Sequence, residues 1–140
     1  MRDISYRAKR KDNGEWVEGY LLKVKTLSPS SAKWVEKTLI LIQQDEVYEV
    51  IPETVGQYTG LTDKNGKKVF EGDIIKDLGG SLDGIPRVVI WNEVWMEFET
   101  YLVKSHWAYG TNNSRLWLMR NREIEVIGNI HDNPEMLEVK

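Results

Sequence analysis

Apolar and β-branched residues recur in short runs separated by turn-forming residues, a pattern typical of a chain built mainly of β-strands. Two such runs, 4–8 and 16–25, flank the sequence Asp12-Asn13-Gly14. Asn and Gly tolerate the positive φ angles of a tight turn, so we predict a hairpin here. The following stretch, 27–34, contains Ser and Pro and lacks periodicity, which predicts a surface loop.

Strands are predicted to resume at 37–43 and 46–51. Pro52 has no amide hydrogen and therefore marks where pairing in the second of these strands should stop. A short helical turn or coil is expected at 53–57. The sequence Asp-Lys-Asn-Gly at 63–66 has the chemistry of a tight reversal between two further β-type runs.

Gly72 and Asp73 then lead into paired β-branched residues, as in the first strand of small SH3-like barrels, where a glycine relieves crowding as the strand bends. The glycine-rich stretch 79–84 predicts a long hairpin loop. Asn133, Pro134 and Glu135 have the residue types of a helix start. Short strands are predicted at 87–91, 116–119 and 123–127, with 108–114 as a loop and the last strand ending at Gly128.

The stretch 91–103 fits both a helix and a strand. Its large apolar residues have helical spacing, whereas Met96, Phe98, Thr100 and Leu102 alternate as in a strand. The content of Val, Thr and aromatic residues favours the strand, and a barrel needs a strand here. We therefore predict β-structure.

Together these elements predict a mainly β fold with minor α content. We expect an N-terminal β unit over 1–58, an SH3-like β-barrel over 59–133 and a short C-terminal helix or tail over 134–140. The alternative is that all three form one compact domain, since 140 residues is an ordinary length for a single domain.

Composition places the chain among globular proteins, because 41% of the residues are hydrophobic and 29% are charged. The absence of Cys excludes disulfides and thiolate metal sites. No run is apolar and long enough for a secretory signal or a membrane span, so we expect a cytoplasmic protein with no membrane partner. A net charge of −3 with interspersed signs argues against bulk nucleic-acid binding.

Three stretches resemble the YopX family of small proteins encoded by bacteriophages, prophages and mobile elements. They read PETVGQYTGLTDKNGKKVFEGDIIK at 52–76, EVIGNIHDNPEML at 125–137 and ISYRAKRKDNGEWVEGYLL at 4–22. The resemblance implies a phage or prophage accessory protein, and it brings no substrate, cofactor or binding residue with it.

No motif predicts catalysis. Glu71 and Asp73 would project from one face of a strand as an acid/base pair does, but a turn-capping or solvated role suits them better. Asp63 and Asn65 suggest a calcium loop, yet lysines stand where further oxygen ligands should fall.

Metal binding is not expected either, since His106 and His131 are the only histidines. We therefore expect no catalytic residue, no cofactor and no metal.

Two groups of cations are candidates for nucleic-acid binding. The first clusters at the first hairpin, and the second is interleaved with Trp117, a mix of cation and stacking ring that single strands favour. The alternative is a solvated hairpin tip and a core tryptophan. The candidate residues are Arg7, Lys9, Arg10, Lys11, Arg115, Arg120 and Arg122.

Tryptophans are the candidates for a protein interface. Four of the six lie at Trp91, Trp95, Trp107 and Trp117, and a small barrel can bury only part of that surface. Trp is enriched at protein contacts. We therefore expect a non-catalytic interaction module that forms homo-oligomers or binds a host or phage protein, with nucleic-acid binding as the alternative.

Overall fold

Antiparallel β-strands make up most of the computed structural model, which describes residues 3–78, 85–103, 113–116 and 123–137. The strands are β1 (Tyr6–Lys9), β2 (Trp16–Leu27), β3 (Trp34–Gln43), β4 (Glu46–Glu49), β5 (Gly56–Thr62), β6 (Lys68–Phe70), β7 (Asp73–Asp77), β8 (Pro86–Asn92), β9 (Glu97–Leu102), β10 (Asn113–Arg115) and β11 (Ile124–Asn129). Short 3-10 helices occupy Pro52–Thr54 and Pro134–Leu137. Contacts divide the chain into two units, Met1–Tyr58 and Thr59–Lys140.

The first unit contains the predicted hairpin. β1 and β2 pair antiparallel with Ala8 opposite Val17, and Gly14 in the connecting turn has a φ of +73°. A side chain at that angle would clash with its own backbone, so glycine suits the turn. The hairpin prediction is confirmed. On the inner face of the unit, Ala8, Ile40 and Val50 form a buried core.

β2 and β3 continue beyond their neighbours as a two-stranded ribbon, which we call the β2–β3 arm (residues 23–38). Its register runs from Lys23 opposite Thr38 to Leu27 opposite Trp34. β1 pairs with β2 only up to Gly19, and β4 pairs with β3 only from Leu39. The arm therefore has no third strand among the residues that the structure describes.

The second sheet, in the unit after Tyr58, has the strand order β10-β9-β8-β7-β11. Its strand β8 begins with alternating buried and less buried positions, as expected of a strand that packs one face on a core, whereas β7 is buried at four of its five positions. That core is apolar and consists of Val69, Ile75, Val89, Leu116 and Ile124. The other sheet has the order β4-β3-β2-β1-β5-β6.

The two antiparallel sheets confirm the mainly β fold class. Within the described ranges the second sheet is open rather than a closed barrel, because β10 and β11 stand at its two edges. Closure would require those edges to be paired. Among the same residues, no helix has both the length and the apolar character needed to cross a membrane.

Three local predictions need correction. The stretch 91–103 is β-structure, but it is a hairpin whose turn occupies residues 93–96 rather than one strand. The predicted loop at 108–114 overlaps β10, and the strand expected at 116–119 gives way to a 3-10 conformation at Leu116, after which 117–119 lie outside the described residues. The glycine-rich stretch 79–84 also lies outside them.

Candidate interaction surfaces

The cations of the first hairpin lie beside carboxylates. The Arg10 guanidinium donates two hydrogen bonds to Asp12, at 2.9 and 2.6 Å, and stacks on the Tyr48 ring with its carbon 3.9 Å from the ring centroid. The hydrogen bond to Asp12 raises the pKa of Arg10, and the same bond lowers the pKa of Asp12. Lys11 Nζ lies 3.3 Å from Glu49 Oε1. Two of the four predicted cations are thus paired with acids.

The other two cations of this group pack on a tryptophan. The Arg7 guanidinium carbon lies 4.8 Å from the centroid of the Trp16 ring, and Lys9 Nζ lies 5.5 Å from it. Both residues are partly buried. The contacts are of the cation–π type, which stabilises the sheet face without needing a ligand.

A shallow open groove of about 320 Å³ borders this hairpin. It is lined by Lys11, Asp12, Val47, Tyr48 and Glu49. The Tyr48 hydroxyl donates a 2.7 Å hydrogen bond to Glu46, and that bond is the largest cause of the raised pKa of Tyr48. Because the charged lining residues include paired groups of both signs, the groove is not a cationic pocket.

The second group of predicted cations is described only at Arg115. Its Nε lies 2.9 Å from Glu97 Oε1, and its side chain is 53% exposed. Arg120 and Arg122 lie outside the described residues, as does Trp117. The structure therefore shows Arg115 next to an acid and does not show the predicted mix of cations and rings.

Two of the three carboxylates considered for catalysis or metal binding, Asp73 and Asp63, accept hydrogen bonds from backbone N–H groups. Asp73 is fully buried, and its Oδ2 accepts the Phe70 N–H at 2.8 Å. Burial raises the pKa of Glu71. Asp63 accepts backbone N–H groups rather than lining an open loop. No group of three or more metal-binding side chains occurs in the described part of the chain.

Two of the four interface tryptophans are described, and their surroundings differ. Trp91 is partly buried and meets Phe98 edge to face, with ring centroids 4.9 Å apart. Trp95 is 68% exposed. Trp107 lies outside the described residues. Of the candidates that can be placed, only Trp95 therefore presents its ring to solvent.

Trp95 stands in the β8–β9 hairpin turn, residues 93–96, which we call the apolar tip. Its neighbours Val94 and Met96 are 82% and 69% exposed. Exposed turns are usually built from polar residues, Gly and Pro, so three consecutive apolar residues in one are unusual. These three side chains are the most exposed large apolar residues of the second unit among those that the structure describes.

Asn92 holds the apolar tip in shape. Its Oδ1 accepts the backbone N–H groups of Val94 and Trp95 at 2.9 and 3.1 Å, and its Nδ2 donates to Glu99 Oε1 at 3.0 Å. Met96 completes the turn with a φ of +54°. Asn92 was not among the predicted site residues. An Asn immediately before a short turn was the available signal, since its side chain mimics a backbone turn.

Comparison with known proteins supports the resemblance seen in the sequence. The family model described as YopX protein matches residues 5–138. No curated protein matches the chain. A similar solved structure is the crystal structure of protein EF1440 from Enterococcus faecalis, with a TM-score of 0.53 and 22% sequence identity. The match covers 99% of this chain and 100% of that chain. At that identity the likeness shows the fold alone. Because the family model covers nearly the whole sequence, the chain belongs to the YopX family.

Proposed function

We propose that this protein is a non-catalytic interaction module that self-associates through the apolar tip. The observation that carries the proposal is the 68% exposure of Trp95 between two other exposed apolar residues. Trp and Met are enriched at protein contacts and Trp is frequent among residues that dominate binding energy. A tip of this composition gains free energy by leaving water.

The conformation of the tip favours binding. Because Asn92 accepts two backbone N–H groups of the turn, the backbone that carries Trp95 is ordered before any partner arrives. Association then loses less conformational entropy than it would with a flexible loop. A rigid apolar projection therefore serves recognition better than an exposed but disordered one.

A second copy of the chain is the proposed occupant. In a twofold dimer the same patch lies on both sides of the interface, so each residue meets the equivalent surface of the partner. An apolar patch is complementary to itself, whereas a charged patch is not. Three side chains cover much less than the roughly 800 Å² per partner of a standard interface, so the tip is the anchor of a larger contact.

Size-exclusion chromatography with light scattering tests this proposal. The natural chain is expected to elute as an oligomer, and Trp95→Ser is expected to shift it toward the monomer. Trp34→Ser is the matched control, because Trp34 is 70% exposed but lies in the other unit. Equal masses for the natural chain and Trp95→Ser, or a monomer at high concentration, would contradict self-association.

We also propose that the protein acts in the bacterial cytoplasm as a phage or prophage accessory protein. Membership of the YopX family and a composition free of Cys, which needs no oxidising compartment, support this. Fractionation of host cells that produce a tagged copy tests the location. Recovery of the tagged chain in the membrane or secreted fraction would contradict it.

A further inference from the structure

The β2–β3 arm has a charge opposite to that of the whole protein. Between residues 20 and 43 the chain carries four lysines and one carboxylate, a net charge of +3, whereas the whole chain has −3. The carboxylate is Glu36, which stands opposite Lys25 in the register. The four lysines are Lys23, Lys25, Lys33 and Lys37.

The lysines of the arm differ from the cations of the first hairpin in their surroundings. Arg10 and Lys11 each have a carboxylate within ion-pair distance. None of the four arm lysines forms an ion pair with any residue in the part of the chain that the structure describes. Their charge is therefore available to an external anion.

The arm has the form of an isolated β-ribbon. Five residue pairs, from Lys23 opposite Thr38 to Leu27 opposite Trp34, give it a length of about 17 Å. Leu27 and Trp34 at its end are 55% and 70% exposed. A ribbon of two strands about 4.8 Å apart, together with its side chains, is narrow enough to enter the major groove of B-DNA.

The cations follow the whole ribbon instead of collecting at its end. Lys23 and Lys25 are two residues apart and share one face of β2, because side chains alternate along a strand. Lys37 pairs with Val24 and so lies on the opposite face. Lys33 stands in the loop. This distribution suits a groove with phosphates on both walls, whereas a membrane surface would meet only the end of the arm.

We propose that the β2–β3 arm is a binding site for duplex DNA, with the ribbon in the major groove. The lysines contact phosphates on both walls, and Leu27 and Trp34 meet the apolar edges of bases on the groove floor. Double-stranded RNA is excluded by shape, because its major groove is too narrow for a ribbon. The site is independent of the apolar tip and of the proposed self-association.

Fluorescence anisotropy with a labelled DNA duplex tests the site over a salt series. Four phosphate contacts give a slope of log K against log salt of about −3.6. Changing all four lysines to Gln is expected to remove most of that slope and to weaken binding at low salt at least tenfold. The matched control changes the charge equally in the second unit, at Lys64, Lys67, Lys68 and Lys76.

A variant that is expected to bind DNA more tightly is a useful complement, because misfolding can weaken binding but does not tighten it. Glu36→Gln removes the single carboxylate of the arm and is expected to tighten binding roughly two- to threefold at low salt, the effect of one unit charge at about 8 Å in water. Absence of binding at low salt would overturn the proposal, as would equal loss in the two lysine variants. So would equal affinity for an RNA duplex, or binding to anionic lipid vesicles without binding to DNA.

Discussion

The Asp63 carboxylate accepts a hydrogen bond from the backbone N–H of Val126 at 3.0 Å and so joins two residues that are 63 positions apart. Its other oxygen accepts the N–H groups of Asn65 and Lys67 at 2.9 and 2.8 Å. Asp63 is only 7% exposed. One buried side chain therefore both shapes the turn at 63–66 and ties it to β11.

Asp63→Asn is expected to destabilise the protein by about 3 kcal/mol at neutral pH. The substitution removes the charge that strengthens three hydrogen bonds, and it directs an amide N–H toward a backbone N–H. Chemical denaturation measures the loss. Asp45→Asn is the control, because Asp45 lies exposed in the β3–β4 turn and should cost less than about 0.5 kcal/mol.

The effect of Asp63 depends on pH in a definite direction. Burial raises its pKa, but the hydrogen bonds from Val126, Lys67 and Asn65 lower it by more, so the folded pKa lies below the ordinary value of 3.8. The stabilisation is complete above that value and is lost as the pH falls through the folded pKa. The difference in free energy of unfolding between the natural chain and Asp63→Asn should therefore shrink below about pH 4. A difference that is unchanged down to pH 2 would contradict this role.

Glu71 should show the opposite dependence. Partial burial raises the pKa of its carboxyl group, so the folded state disfavours the charged form. Glu71→Gln is expected to stabilise the protein at pH 7 by about 0.5 kcal/mol or less, since the group remains partly solvated. The gain should disappear as the pH falls below the ordinary pKa. Glu123→Gln, at an exposed position, should change nothing, and a destabilised Glu71→Gln would contradict the account.

Gly72 has the backbone angle that its position before β7 requires. Its φ is +90°, and its N–H donates to the Val89 carbonyl oxygen at 2.8 Å. Gly72→Ala is expected to cost about 1–2 kcal/mol because an L side chain is strained at that angle. Gly60→Ala should cost a similar amount, because Gly60 has a φ of +89° with open space around an added Cβ. A similar cost at both positions would assign the loss to backbone strain and not to steric crowding. An unchanged melting temperature for Gly72→Ala would contradict the strain.

Local turn chemistry made several elements predictable from the sequence. The hairpin at Gly14 and the reversal at Gly66 follow from Asn-Gly pairs, and both glycines have positive φ angles. The last strand was predicted to end at Gly128, but β11 continues through it to Asn129. A side chain at Gly128 would be too close to Asn133, because an added Cβ would lie 2.6 Å from Asn133 Oδ1. Gly19 gave no such signal, although a Cβ there would collide with the Leu41 carbonyl oxygen on the next strand.

The candidate sites were less predictable because their properties depend on distant residues. Lys11 belongs to an obvious cluster of cations, but its partner Glu49 lies 38 positions away and is brought close only by the fold. Lys23 and Lys25 carry the same charge without an ion pair in the described residues, because the ribbon extends past its neighbouring strands. The apolar residues around Trp95 fit a helix or a single strand, so their spacing did not indicate the turn that the Asn92 side chain stabilises.

Asn92→Ala should weaken self-association while leaving every apolar residue of the tip in place. The variant loses the two hydrogen bonds that order the turn, so Trp95 must be ordered on binding, and the lost preorganisation reduces affinity. Stability should fall by about 1 kcal/mol. Asn13→Ala is the matched control: Asn13 Oδ1 accepts the Glu15 N–H at 2.9 Å in the first hairpin, far along the chain from the tip.

Sedimentation of both variants over a concentration series should show weaker association for Asn92→Ala alone. Equal association constants for the two would show that Trp95 binds without a preformed turn.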